Sequence, residues 1–300
     1  MMQNRQGILY ALATYLIWGF LPVYLKALKQ VPAMEILAHR MVWSLAFVAL
    51  LLALRHHWRW LREVIEQPAL LARFAGSAAF VSLNWGVYIW AVNADRVVDA
   101  SLGYFINPLV NVLAGWLLLR ERLRPVQWWA VAIAAAGVAW LTWQAGTVPW
   151  IGLTLAFSFA AYGLLRKTAS LGALEGLALE TALLFPLAFA YLAWLAIDGR
   201  NAFVAAPASM QWLLAAAGPV TAIPLLLFAA GTRRISFSLL GLLQYIGPTI
   251  QLALGIWLYD EPFPASKAAG YALIWAALAL YTVESLWRTW RRAPAAAPGG

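Results

Sequence analysis

Three hundred residues that are 64% apolar and 11% charged, with 18 tryptophans, carry more apolar surface than a soluble domain can cover, whereas lipid can cover it. The formal charge of +9 would suit nucleic acid if the basic residues shared one face, but they are scattered through short loops, which excludes that partner and points to membrane topology. With no cysteine, neither a disulfide nor a thiolate metal site is available.

Ten segments of about 20 apolar residues each match the roughly 30 Å of a hydrocarbon core. They run near 7–26, 33–54, 70–92, 99–119, 126–143, 150–166, 173–197, 210–230, 235–258 and 267–287. The first follows Arg5. Its small residues Ala11 and Ala13 lie too early for a signal-peptide cleavage site, so it reads as a retained span that includes Trp18. Span two places Glu35, His39 and Trp43 at i, i+4 and i+8, with Arg40 beside them. Two readings are open there. One is a local Glu–His contact with Arg40 reaching toward the surface; the other is a cationic wall of a substrate pathway.

Span three carries Asn84, Trp85 and Tyr88; Asn84 and Tyr88, at i and i+4, should face inward because amides are costly in lipid. Span four opens with Asp99, which suits either a helix N-terminus or a gate. Tyr104, Asn107 and Asn111 then share one face around Pro108, a residue that invites a kink. Glu121 reads as structural, paired with its flanking arginines. Span seven buries Glu180, the first candidate for proton or cation coupling, ahead of Glu35 and Asp99. Span nine repeats the span-four pattern, with Gln244, Tyr245 and Gln251 around Pro248. The tail after Arg292, residues 293–300, is low-complexity and expected to be disordered.

A single offset of 140 relates Ile106, Pro108, Gly115, Leu118 and Glu121 to Ile246, Pro248, Gly255, Leu258 and Glu261. It also pairs Asn111 with Gln251, Glu35 with Glu175, and Arg40 with Glu180. A duplicated unit with an odd number of spans must insert its second copy upside down. The expected architecture is therefore all-α and integral to the membrane: ten transmembrane helices as two inverted five-helix repeats, residues 1–146 and 147–292. Placing both termini inside the cell puts fifteen Lys and Arg in inner loops and tails against five outside, which sets that orientation.

Motifs for metal-dependent, serine or phosphate chemistry are missing, and three histidines, two of them adjacent at 56–57, make no catalytic set. No catalytic residue, metal or cofactor is expected. The expected partners are the bilayer and a small-molecule substrate, with a homodimer as the open alternative to a monomer. An enzyme acting on a lipid-linked substrate is the competing class, and it needs a carboxylate such as Glu180 beside an opening to lipid.

Five stretches in combination carry a family resemblance. Trp18-Gly19 with Pro22-Val23-Tyr24, EILAHRMVWS (35–44), NWGVYIWAVN (84–93), ASLGYFINPLVNVLAG (100–115) and LLGLLQYIGPT (239–249) are similar to the RarD branch of the EamA-type transporters, in the drug/metabolite transporter superfamily. The likeness covers nearly the whole chain. It implies ten helices in two inverted halves, a bacterial cytoplasmic-membrane location, and permease or exporter activity by alternating access. Relatives of this kind move amino acids, metabolites or drugs, and the resemblance supplies no agreed set of binding residues.

Overall fold

In a computed structural model of the chain, residues 2–55, 58, 60–119, 122–167, 170–232, 234–235 and 243–292 are described. The expected tail, the histidines at 56–57, and Arg120 and Glu121 lie outside them. The described residues are helical with no strand. The helices are α1 Met2–Ala27, α2 Ala33–Leu54, α3 Trp60–Glu66, α4 Pro68–Asn93, α5 Val97–Leu119, α6 Pro125–Ala145, α7 Trp150–Lys167, α8 Ala173–Ile197, α9 Ala202–Ala205, α10 Ala208–Thr232, α11 Ile246–Ala253 and α12 Ala265–Arg292. α11 continues into a π-helical turn, Leu254–Leu258.

Eight of these helices are long and apolar enough to cross a membrane, and two shorter apolar ones cover Trp150–Arg166 and Ile246–Leu258. The helix bounds agree with the expected spans to within a few residues, except that part of span nine lies outside the description. The short helices α3 and α9 were not anticipated; both sit in loops between spans.

The loops gather at two ends. At one end Lys26 in the last turn of α1 and Lys29 just after it reach Asp95 in the α4–α5 turn. Lys267 at the start of α12 meets Asp99 at 2.7 Å, and the Glu35 carboxylate accepts from the Ala202 N–H of α9 at 2.6 Å. The other end carries both termini, with Arg124 before α6 bound to Glu284 near the end of α12 at 2.7 Å. Exposed tryptophans mark the helix ends, among them Trp90, Trp128, Trp143, Trp150, Trp194, Trp212 and Trp257. That is the aromatic belt of a protein whose outer surface meets lipid.

Packing follows from small residues and buried amides, because lipid offers no hydrophobic gain for bringing helices together. α5 and α7 approach so closely that a Cβ at Gly103 would lie 2.6 Å from the Gly152 carbonyl oxygen. α6 and α12 meet in the same way, Gly137 against Gly270. Two main cores result. One joins α1, α2, α4, α8 and α10; the other joins α6, α11 and α12, and α5 and α7 contribute to both. Each core thus draws on both halves of the chain. Five prolines sit inside long helices, Pro22, Pro108, Pro186, Pro219 and Pro224, so Pro108 is accommodated within a continuous α5.

Candidate functional site

Arg40 lies seven residues into α2, roughly 10 Å below the end opposite the termini. Its side chain is buried, and its guanidinium stacks on the Trp85 ring of α4 at 4.2 Å. The tyrosines Tyr24, Tyr88 and Tyr104 lie within its electrostatic reach, from α1, α4 and α5. Arg40 Nε has no hydrogen-bond partner, and no acidic side chain pairs with Arg40 among the described residues. Placing an arginine inside a span costs at least about 2.5–3.5 kcal/mol on insertion scales. A desolvated cation–π contact returns about 2 kcal/mol. The aromatic contact therefore does not replace a counter-ion.

The amides predicted beside it form a row along α7. Asn84 Nδ2 donates to the Leu155 carbonyl at 2.9 Å and to Ser158 Oγ at 3.0 Å. Asn107 Nδ2 donates to the Ala156 carbonyl at 3.1 Å, and Asn111 Nδ2 donates to Asn107 Oδ1 at 3.0 Å. The Tyr104 hydroxyl reaches Asn84 Oδ1 only at 3.5 Å, while its ring packs edge-on against Tyr88. The row thus divides. Asn84 and Asn107 clamp α4 and α5 to α7, whereas Arg40, Tyr88 and Tyr104 keep loose donors. Asn111 is exposed and lies 14 residues into α5, so the row extends roughly 21 Å from the start of that helix.

Other expected site residues have structural partners. Glu35, His39 and Trp43 face α9: His39 and Trp43 both pack on Phe203, and His39 Nε2 stands 3.9 Å from Glu35. Asp99 is shared between Arg96 and Lys267 at the loop end. Trp18 packs among Tyr15 and Phe228, and its carbonyl accepts from Gln251 Nε2 at 3.0 Å. Pro22 accounts for that bond. Lacking an N–H, it leaves the carbonyl four residues earlier, that of Trp18, without its helical donor. Tyr245 packs into the second core, and Gln244 is half-buried.

Glu180 stands apart from Arg40, seven residues into α8 from the termini-bearing end. It is 1% exposed and accepts from Ser77 Oγ of α4, with Tyr162 of α7 beside it and Arg166 Nε 3.8 Å away. Its Oε2 has no partner. Composition and spacing alone do not bring Arg166, Tyr162 and Ser77 to this carboxylate. Arg166 ends the sixth apolar segment, where an arginine ordinarily marks topology, but Gly176 admits its guanidinium over α8, where a Cβ would overlap it.

A surface pocket of about 340 Å³ between Lys29, Pro32, Trp90 and Asn93 lies apart from these groups. It holds neither the buried cation nor the amide row.

Residues 5–143 match the EamA-like transporter family. Protein RarD of Streptomyces exfoliatus is 48% identical over 98% of this chain and 93% of its own. The chain belongs to the RarD branch of the EamA-like transporters. A Pseudomonas aeruginosa relative named as an uncharacterized transporter is 46% identical over 97% of both chains. A solved crystal structure at 22% identity covers 93% of this chain and 98% of its own with a TM-score of 0.55, a likeness of fold alone. This RarD-branch protein is accordingly a multi-pass membrane protein of a transporter family.

Proposed function

We infer that the chain is a secondary transporter that moves a small metabolite, amino acid or drug-like compound by alternating access. The observation that carries the reading is the Arg40 cluster with its amide row, a polar tract inside an apolar bundle of a transporter family. Polar groups at that depth face protein or a passing solute by default. No nucleotide-binding motif is present, so uphill transport must draw on an ion gradient. Glu180 is the group proposed to couple it to protons.

Ten spans as two inverted repeats fit the packing. Swapping each span for the one five places on exchanges the α5–α7 pair with the α11–α1 pair, and the α4–α7 pair with the α10–α1 pair. All four pairs are in contact. The α2–α8, α6–α12 and α5–α11 pairs map onto themselves, and they touch as well. The amide clamps correspond too: Asn107 of α5 on α7, and Gln251 of α11 on α1. The Lys/Arg bias supports a cytoplasmic termini-bearing end, and membership of the RarD branch supports the bacterial inner membrane. An enzyme acting on a lipid-linked substrate needs Glu180 beside an opening to lipid, whereas its side chain is closed in by α4 and α7.

The test uses purified protein in liposomes. Solutes that raise its melting temperature are taken into uptake and efflux assays with and without a pH gradient. Movement above protein-free liposomes for at least one such solute is expected; rates equal to those liposomes across the whole set would sink the reading.

A further inference from the structure

The Arg40 cluster is built of donors. Arg40 Nε and the Tyr88 hydroxyl are buried without a hydrogen-bond partner, and the Tyr104 hydroxyl reaches its acceptor only at the outer limit of a hydrogen bond. Trp85 covers one face of the guanidinium, so its N–H edge is what remains for a ligand. The buried acids of the described chain are engaged elsewhere. Glu35 binds the Ala202 N–H, Glu180 sits with Ser77 and Arg166, and Glu284 pairs with Arg124. Glu261 accepts from the Val97 and Val98 N–H groups at the start of α5. The fold therefore supplies a buried cation and no anion for it.

We propose that this cluster binds the carboxylate of a small organic monoanion, which accepts from the Arg40 edge and the Tyr88 hydroxyl while its apolar body lies against the aromatic rings. The proposal rests on the transporter reading and names its substrate class. A carboxylate matches the planar guanidinium fork through two parallel bonds. One guanidinium neutralises one charge, and the phenols donate without adding any. A phosphate dianion would bring a second, uncompensated charge into a low-dielectric site. An α-amino acid would bring an ammonium group, and the cluster offers it only neutral phenol oxygens, with no carboxylate among the described residues to balance its charge. Carboxylates without an α-ammonium are the better fit.

The probe is 3-phenylpropionate, compared with its amide, with phenylalanine, and with chloride and phosphate, on the full chain in nanodiscs. Binding is read by calorimetry and by thermal shift. The variants are Arg40→Gln, Arg40→Lys and Tyr88→Phe, each checked for a monodisperse elution profile. 3-Phenylpropionate is expected to bind wild-type protein at least about tenfold more tightly than the amide or phenylalanine, since a buried charge partner is lost or an ammonium is left unpaired. Arg40→Gln should abolish binding, and Arg40→Lys should retain it at reduced affinity because the charge stays while the fork is lost. Tyr88→Phe should weaken it severalfold without altering elution, which keeps the test alive if Arg40→Gln fails to fold. Equal binding of acid and amide, or binding unchanged by Tyr88→Phe and Arg40→Lys together, would overturn the proposal. So would binding of chloride or phosphate with no response to any carboxylate. Liposomes separate the two claims: transport of neutral or cationic solutes with no carboxylate bound leaves the transporter and removes this site. Carboxylate binding that depends on Arg40, with no solute moved, leaves this site and removes the transporter.

Discussion

At the scale of single residues, burial separates charges that are finished from charges that are not. Glu180 has a donor in Ser77, Tyr162 beside it, a cation in Arg166, and one bare oxygen. The proposed coupling has this carboxylate take up and release a proton as its surroundings change. Glu180→Gln keeps the shape and most hydrogen bonding. The expected outcome is normal folded yield, solute exchange down its own gradient retained, and pH-driven accumulation lost, measured in liposomes with and without a pH gradient. Loss of folded protein that is restored in the Glu180→Gln, Arg166→Gln double variant would instead make the pair structural. The depth of Glu180 was legible in the sequence because a charge within an apolar run is conspicuous. Its partners were not, since Arg166 sits at a helix end where an arginine ordinarily signals topology, and only the close approach at Gly176 turns it inward. His39, one residue from Arg40, is turned by the helical angle between neighbours toward Phe203, with both of its ring nitrogens buried and without a hydrogen-bond partner.

At the scale of elements, the amides serve chiefly to close gaps that the helices leave. Pro22 orphans the Trp18 carbonyl in α1, and Gln251 from α11 supplies the missing donor. Gln251→Leu should therefore destabilise the protein by about 1–3 kcal/mol, the cost of an unsatisfied buried group. Pro22→Ala in the same chain should recover part of that loss by restoring the helical N–H. Thermal unfolding in detergent measures both, and a double variant no more stable than Gln251→Leu would contradict the account. Glu261 does comparable work for α5, holding the N–H groups of Val97 and Val98 at 2.6 and 2.7 Å. Its removal as Glu261→Ala should cost about 1–2 kcal/mol as a lost helix cap, and Glu261→Gln less, because one acceptor survives. The span boundaries could be read from composition because twenty apolar residues have few other uses. The helix-to-helix partners could not, because glycines such as Gly103 and Gly152 reveal their contact only once α5 and α7 lie together.

At the scale of the whole molecule, the end opposite the termini is held shut by charges. Lys26 and Lys29 both bind Asp95, and Lys26 also lies over the Tyr259 ring at 4.7 Å, so α1, the α4–α5 turn and the end of the π-helical turn are tied together. Hydrogen bonds from the two lysines hold the Asp95 carboxyl below the ordinary carboxylate range. A depressed value means the tie is complete above about pH 4, the unfolded carboxylate value, and is lost only as pH falls through the still lower folded value. Its exposure makes it a weak, salt-sensitive contact, which suits a latch that opens in each cycle of the proposed alternating access. Alternating access requires that opening. With the termini inside, as a reporter fused after Arg292 should report, this latch faces the outside of the cell. The chain lacks cysteine, so cysteines placed at Lys26 and Asp95 can be bridged cleanly by a short bis-maleimide. Bridging should stop transport in liposomes, while a third cysteine at the exposed Asn111 stays reactive to a polar thiol reagent applied from the cytoplasmic side. The unbridged variant should transport, because the lost pair is worth little at an exposed site. Full transport with the bridge in place would mean that this end never opens, and alternating access across it would fall with that result.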